Sequence, residues 1–252
     1  MSIHKVEGIV LKTQPFRSSS LIVTFFTKEA GKIRGVVKGV HREGEIRQAG
    51  FEIFTRAEII FYEKRRSDLH LISDAAILES NDPIRNRLES IVYGSYFCEL
   101  VDELTEVQDP HPEIFELLRT AFRFLSVVPP EKLTTVFTVK LLGAMGWIPY
   151  TDGCVSCGAR PFEKGYFSVK QGALLCEACR SKDGGAPAIT PVALALLRVF
   201  IRNEMRECLE HSHFSYALNE VQRLLTQFLN FRIGKVLRTK RFIDSVRSAL
   251  VK

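Results

Sequence analysis

The sequence lacks several features that would place it in common protein classes. It has no apolar run of about 18 residues, the length that a membrane-spanning helix requires. Its first residues, MSIHK, lack the apolar core of a signal peptide, so we expect a cytoplasmic protein. The phosphate-binding pattern Gly-x-x-x-x-Gly-Lys-Ser/Thr is missing, and no Ser/His/Asp or Cys/His arrangement stands out. Membrane, secreted, ATP-driven and triad-type hydrolytic functions are therefore disfavoured.

Cysteine is scarce, but its placement is informative. Four of the six cysteines form two Cys-x-x-Cys pairs, Cys154/Cys157 and Cys176/Cys179, with eighteen residues between the pairs. In a reducing compartment such a pattern indicates a metal site rather than disulfides. Four thiolates in a tetrahedron suit one Zn²⁺ and leave no position for a reactive water. The spacing predicts a zinc-ribbon-like motif at 151–185, with a structural ion.

The rest of the chain divides into a strand-rich part and two helix-rich parts. Short β-branched segments separated by turn residues fill residues 1–80, and about five such strands predict a small closed barrel of the OB-fold type. Apolar residues then recur at helical spacing in 81–150 and again in 186–252. We therefore predict an α+β multidomain protein, in which a helical body carries the metal motif as an insertion.

Two of the predicted helices are long. Asp82 and Pro83 are typical of a helix start, and the apolar repeat that follows predicts one helix to about Asp109. Thr190 and Pro191 likewise predict one helix to about Glu210.

Charge is unevenly distributed along the chain. Residues 81–150 hold 6 Lys+Arg against 10 Asp+Glu, a net charge of −4. Residues 1–80 hold 13 against 10, and residues 186–252 hold 11 against 5, so both ends are net positive. A polyanion can bind both ends and avoid the centre. The alternative is that the basic surfaces serve solubility.

Two basic segments are candidate DNA-binding sites. On a strand, Lys32, Arg34 and Lys38 share one face, opposite Ile33 and Val37. This group extends to the following basic residues, Arg42 and Arg47. The second segment carries five cations and no acid: Arg232, Lys235, Arg238, Lys240 and Arg241. The first could instead be a solvated strand face, and the second could complement a helix dipole.

The order of these parts resembles the RecO family of bacterial DNA repair proteins. The similarity spans almost the whole length and rests on segments 8–13, 21–28, 31–39 and 231–242 together with the four cysteines. One departure is Arg17–Ser20, where the family often carries an acidic residue before the small polar ones.

The resemblance implies a non-enzymatic function in recombinational repair. It implies binding to single- and double-stranded DNA without base specificity, annealing of complementary strands, and cooperation with RecR in loading RecA. It also implies recognition of the acidic, phenylalanine-ended tail of single-strand binding protein on the helical body. Arg123, Lys132 and Lys140 are basic candidates for that tail.

Two rival functions remain at this point. A sequence-specific regulator could use the ribbon or a helix to read bases. A zinc-dependent hydrolase or nuclease would need an open metal position, which four sulfurs disfavour.

Overall fold

The computed structural model describes residues 2–40, 46–64, 67–160 and 164–250, and gives only the backbone at 46–48 and 246–250. It confirms the α+β class, with an N-terminal barrel, helices and a four-cysteine cluster.

The chain forms two compact units, each described here by itself. The first contains Met1–Val127 and Leu237–Lys252, and the second contains Val128–Val236. The boundary after Val127 falls inside the helical segment predicted at 81–150, and the boundary after Val236 falls inside the one predicted at 186–252.

Five strands close into the predicted barrel. They are β1 (Ile3–Phe16), β2 (Ser20–Thr27), β3 (Gly31–Lys38), β4 (Arg56–Tyr62) and β5 (Leu69–Glu79). Their order around the barrel is β1-β2-β3-β5-β4, with β3 and β5 parallel and the other pairs antiparallel. Alternate residues point inward, and the resulting core includes Val23, Phe25, Ile33, Val37 and Ile59. This order is that of the OB-fold, which is therefore confirmed.

A β-bulge in β1 decides which side chains of that strand face outward. The pairing with β2 shifts between Val10 and Lys12, so one extra residue is accommodated there. Val10 lies in the barrel core, whereas Lys12 is exposed. The bulge therefore places Lys12 on the outer face of the barrel.

Within its described residues, the first unit also contains the helices α1 (Asp82–Arg85), α2 (Leu88–Leu104), α3 (Pro112–Phe124) and α8 (Arg238–Leu250). A helix does begin at Asp82–Pro83 as predicted, but the single helix expected to reach about Asp109 is interrupted after Arg85 and ends at Leu104. Asn86 separates α1 from α2, and Thr105 is extended with φ −108° and ψ 147°. After it, Val107 bridges to β3, and the Gln108 N–H donates to the carbonyl oxygen of Lys32 at 3.0 Å. Pairing with the barrel thus ends the helix early.

The start of α8 is capped by a side chain of α2. The Glu99 carboxylate accepts the backbone N–H groups of Arg238 and Thr239, each at 2.9 Å, and the Thr239 hydroxyl as well. A carboxylate at a helix N-terminus satisfies unpaired N–H groups and complements the dipole. Glu99 therefore holds the basic C-terminal helix against α2.

The second unit contains α4 (Pro130–Ala144), α5 (Pro191–Arg202), α6 (Met205–Glu210), α7 (Ser215–Ile233) and three short strands. The strands are β6 (Gly165–Ser168), β7 (Ala173–Cys176) and β8 (Ala188–Ile189), in the order β7-β6-β8. Buried Phe167 meets buried Phe228 of α7 edge to face at 6.0 Å, which joins the ribbon to the helices.

The helix predicted from Pro191 to Glu210 is divided into α5 and α6. Asn203 is extended, with φ −101° and ψ 159°. The Lys140 ammonium binds the carbonyl oxygens of Ile201 and Asn203, which have lost their helical partners. Among the described residues, no helix combines the length and the apolar character needed to cross a bilayer.

Lys32 fastens the helical layer to the barrel. Lys32 is only 8% exposed, although its side chain lies on the outer face of β3. The ammonium donates to the carbonyl oxygen of Thr105 at 2.8 Å and to that of Asp102, and lies 3.2 Å from the Asp102 carboxylate. Lys32 is therefore enclosed by the C-terminal end of α2.

We expect Lys32→Met to destabilise the first unit. The change leaves two buried carbonyl oxygens without their donor, which typically costs about 1–3 kcal/mol. The control, Lys38→Met, alters an exposed residue of the same strand and should change the free energy of unfolding by less than about 0.5 kcal/mol. Urea unfolding, with hydrogen exchange of β3 and α2 to locate the effect, measures both. Equal stability of the two variants would contradict the fastening role.

Candidate metal centre and nucleic-acid interface

The four predicted ligands come together. The Sγ atoms of Cys154, Cys157, Cys176 and Cys179 all lie within 4.8 Å of one another. Cys157 is exposed and the other three are buried. In the first knuckle, Gly158 has φ +73° and its N–H donates to the Cys154 carbonyl oxygen at 2.8 Å, closing the turn that aims both thiols at one point.

The pKa values of two of these thiols are shifted in opposite directions. Burial alone would raise the pKa of the Cys154 thiol, but backbone N–H groups that point at it, first that of Cys176, lower the pKa to about 6. At Cys157 the N–H of Ala159 favours ionisation, yet the three neighbouring sulfurs outweigh it and raise the pKa to about 11. Four thiols this close ionise together only when a cation lies among them.

Three of the cysteines also belong to a hydrophobic cluster of the motif. Among the residues of the ribbon that the structure describes, this cluster contains Cys154, Tyr166, Leu175, Cys176, Cys179 and Ala186. Two polar links support it: the Tyr166 hydroxyl donates to Glu177 at 2.8 Å, and the Ser168 hydroxyl donates to buried Asp183 at 2.8 Å. Because so little apolar surface is present, a ligated ion fits the motif as its organising centre.

The outer face of the barrel is covered at one end and open at the other. The covered end contains buried Phe26 and Lys32. Three cross-strand rows follow on β1, β2 and β3: Lys12–Thr24–Arg34, Gln14–Ile22–Val36 and Phe16–Ser20–Lys38. None of these positions is Asp or Glu. Lys12, Arg34 and Lys38 are exposed at the rims of the rows, whereas Thr24 and Val36 between them are buried. We call this open end the cationic barrel face.

The structure divides the first predicted basic group. Arg34 and Lys38 are exposed on the cationic barrel face, and in the described part of the chain neither has an ion-pair partner. Lys32 shares their side of the strand, but its ammonium is enclosed and unavailable to a phosphate. Arg42 lies outside the described residues, as does the side chain of Arg47.

Two further cations were missed by the sequence reasoning. Lys12 joins the face because of the β1 bulge, which no sequence period reveals. Arg17 is exposed in the turn after β1, with φ +57°, and its guanidinium lies 5.2 Å from the Phe16 ring. The signal that could have found Arg17 is the basic residue standing where an acid is usual in the resembled family.

The second basic group is shared between the two units. Arg232 and Lys235 are exposed at the end of α7 in the second unit. Arg238 and Arg241 are exposed on α8 in the first unit, while Lys240 pairs with Asp244. The five cations thus do not form one helix end: Gly234, with φ +74°, terminates α7 between them.

An apolar groove of about 320 Å³ lies in the second unit. Its walls come from α5 and from the connection between α6 and α7, and none of the residues that line it is acidic: Val192, Ala195, Leu196, Val199, His211, Ser212, His213, Phe214 and Ala217. Phe214, 64% exposed, stacks on Tyr216 beside the groove.

The three basic residues predicted for a peptide tail do not line this groove. Lys132 is buried, and its ammonium donates to the carbonyl oxygens of Leu209 at 2.5 Å and His211 at 2.7 Å, so burial lowers its pKa. The pKa of His213 is lowered as well, by burial first and then by the Lys132 charge. The Lys140 ammonium donates to the carbonyl oxygens of Ile201 and Asn203. The Arg123 Nε atom lies 3.5 Å from a carboxylate oxygen of Glu79.

Comparison with known proteins agrees with this arrangement. The family model described as "Recombination protein O N terminal" matches residues 1–81, and the one described as "Recombination protein O C terminal" matches residues 85–241.

Whole-length relatives agree too. A protein named "DNA repair protein RecO" from Halalkalibacterium halodurans is 32% identical over 97% of this chain and 96% of its own length. Proteins of the same name from Bacillus velezensis and Bacillus subtilis are 30% and 29% identical, each over 98% of this chain and 96% of the relative. With these matches over an OB-fold barrel, helices and a four-cysteine cluster, the chain belongs to the RecO family of DNA repair and recombination proteins.

Proposed function

We propose that this chain is a non-enzymatic recombination mediator that binds single- and double-stranded DNA and anneals complementary strands. The observation that carries the proposal is the cationic barrel face, where Lys12, Arg34 and Lys38 are exposed on an OB-fold surface without an acid. OB-folds bind single-stranded nucleic acid on an outer strand face, with cations that track the backbone. Contacts to phosphates carry no sequence information, so the binding is not base-specific.

Annealing follows from charge neutralisation on two surfaces. Two strands repel each other through their phosphates, and base pairing provides the driving force once that repulsion is reduced. The cationic barrel face binds one strand in this proposal. The exposed cations Arg232, Lys235, Arg238 and Arg241 bind a second strand or extend the first. No nucleotide hydrolysis is needed for such a process.

The four cysteines hold one structural Zn²⁺ in this proposal. Four sulfurs, the number that a tetrahedral zinc site requires, lie within 4.8 Å of one another, and three of the cysteines belong to a buried cluster of the ribbon. A zinc ion with four thiolates lacks a position for substrate and stabilises the fold instead. Cys154, Cys157, Cys176 and Cys179 would hold it, and the ribbon strands would then be fixed beside α7.

The apolar groove is our proposed site for the tail of single-strand binding protein. Its walls are apolar, and Phe214 is exposed beside it. The Lys132 ammonium donates to the carbonyl oxygen of His211, one of the residues that line the groove, and has no acidic partner among the described residues. An acidic peptide that ends in phenylalanine has matching chemistry, because its ring can enter the groove and its carboxylates can face the positive potential. Recruitment through this tail, with RecR, would bring the protein to coated strands on which RecA is loaded.

Neutralising the cationic barrel face should weaken single-strand binding. Each phosphate contact contributes roughly 0.7 to the slope of log affinity against log salt. We therefore expect Arg34→Gln with Lys38→Gln to lower affinity and to reduce the slope by about 1.4. Fluorescence anisotropy of an oligonucleotide across a salt series measures both.

The matched control changes the same net charge elsewhere on the barrel. Lys5→Gln with Lys28→Gln removes two exposed cations that are already paired with Glu58 and Glu116. This control should leave the slope within about 0.3 of the parent, well under one phosphate contact. The proposal fails if the two double variants have the same affinity and the same salt slope. The alternative of a sequence-specific regulator gains support if competitor oligonucleotides of unrelated sequence displace the labelled strand unequally.

Removing two sulfurs should remove the metal. We expect Cys154→Ser with Cys157→Ser to lower zinc from one ion per chain to almost none, and to expose residues 151–185 to proteolysis, because the small core depends on the ion. Elemental analysis and limited proteolysis test this. Ser156→Ala lies between the same two ligands and should keep its zinc. A double variant that stays protected without zinc would show that the ion is not structural.

A charge in the apolar groove should block the tail. Val192 is 39% exposed at the groove, and Val192→Glu places a carboxylate where an acidic peptide must bind. We expect at least about a tenfold weaker complex with a labelled acidic, phenylalanine-ended peptide. Val127→Glu, at a 74% exposed residue of the other unit, should have no effect. Equal loss in both variants, or no loss in either, would rule out this groove.

A further inference from the structure

A short segment between α4 and the ribbon is fixed in position although it has no regular secondary structure. The Trp147 N–H donates to the Leu142 carbonyl oxygen at 2.7 Å. Tyr150 then runs parallel to Ala173, with its N–H donating to Gly172 at 2.9 Å and its carbonyl oxygen accepting from Leu174 at 3.1 Å. Tyr150 is therefore an added edge position of the ribbon, and a backbone hydrogen bond ties Trp147 to the end of α4.

Two aromatic–guanidinium pairs lie on this segment. The Arg232 guanidinium is 5.3 Å from the Trp147 ring and 5.0 Å from the Phe228 ring. The Arg160 guanidinium is 5.9 Å from the Tyr150 ring and donates to the Tyr150 hydroxyl. All three guanidinium–ring distances are in the range of cation–π attraction. Each arginine is thereby held beside an aromatic ring while it remains exposed to solvent.

The surroundings are partly apolar, and two acids of the ribbon are paired with cations. Ile148 is 50% exposed and Tyr150 is 39% exposed. The Lys170 side chain, in the β6–β7 turn, is 71% exposed, and its ammonium lies 3.8 Å from the Asp183 carboxylate. The nearby acid Asp152 is neutralised by Arg202 at 2.7 Å. Within the described residues, no carboxylate lies at ion-pair distance from Arg232.

We infer that Trp147 and Tyr150, with Arg232 and Arg160, form a base-stacking site for single-stranded nucleic acid on the second unit. Aromatic rings beside exposed cations are the features that bind successive bases and their phosphates without regard to sequence. Trp147 and Tyr150 are three residues apart in a segment without regular secondary structure. This inference rests on the proposed function, because it names a second surface for the same ligand and adds Trp147, Tyr150 and Arg160 to it.

The chain has a single tryptophan, so the inference has a direct optical test. An unlabelled oligo(dT) is titrated into the full-length protein at low salt while Trp147 emission is recorded. A strand of equal length with abasic sites throughout carries the same phosphates but no bases. We expect saturable quenching by oligo(dT), at the concentrations where anisotropy shows binding, and little change with the abasic strand.

Variants separate stacking from charge. Trp147→Leu should lower the affinity for oligo(dT) roughly 5- to 100-fold, the usual effect of losing a base–aromatic stack. It should leave the weaker affinity for the abasic strand unchanged. Trp147→Phe keeps a ring and should retain most of the affinity. Zinc content and circular dichroism of each variant show whether the ribbon remains folded.

The outcomes distinguish this inference from the proposed function. Anisotropy binding of oligo(dT) without a change in Trp147 emission, or equal quenching by the abasic strand, overturns the stacking site and leaves DNA binding intact. A Trp147→Leu protein that is folded and binds both strands like the parent overturns it too, because the indole ring would then contribute nothing to strand binding. Absence of binding to any strand overturns both.

Discussion

The fold of the first unit depends on the alternation of side chains in a closed barrel. Each strand must turn every second residue inward, so the other residues face out whatever their character. Helices cover one end of that outer face, where Phe26 and Lys32 are buried, and they leave the other end open. The boundary lies along β3 between Lys32 and Arg34. Because of this constraint, one basic segment contributes Lys32 to the packing of the helices and Arg34 and Lys38 to the proposed DNA-binding surface.

Lysines that donate to the carbonyl oxygens at helix ends recur in this protein. Lys32 binds carbonyl oxygens at the end of α2, Lys140 binds those at the end of α5, and Lys132 binds those at the end of α6. The last carbonyls of a helix have no partner within it and carry the negative end of its dipole. An ammonium on a flexible stem satisfies two of them at once. These lysines therefore hold the helices in place, because their ammonium groups donate hydrogen bonds within the protein.

The sequence was sufficient for features that depend on local spacing. The barrel, the four clustered sulfurs and the identity of the family all follow from patterns that neighbouring residues define. It was insufficient where a distant part of the chain decides the outcome. Residues 105–108 leave the helical pattern because β3 offers hydrogen bonds, and Asn203 interrupts a helix where Lys140 binds its carbonyl oxygen.

The candidate site shows the same division. Arg34 and Lys38 could be placed on one face from parity alone, whereas the enclosure of Lys32 required the position of α2. Lys12 reaches the face only through a bulge, and Trp147 and Arg232 meet only when α7 packs beside the ribbon. Long-range packing thus decides which cations are exposed, and composition does not.

Lysine footprinting tests the central claim most directly. The protein is treated with an amine-reactive ester, with and without a saturating single-stranded oligonucleotide, and each lysine is quantified by mass spectrometry. The account predicts that Lys12 and Lys38 react in the free protein and are protected by the oligonucleotide, that Lys5 reacts in both states, and that enclosed Lys32 reacts in neither. Modification of Lys12 and Lys38 to the same extent in both states would contradict it.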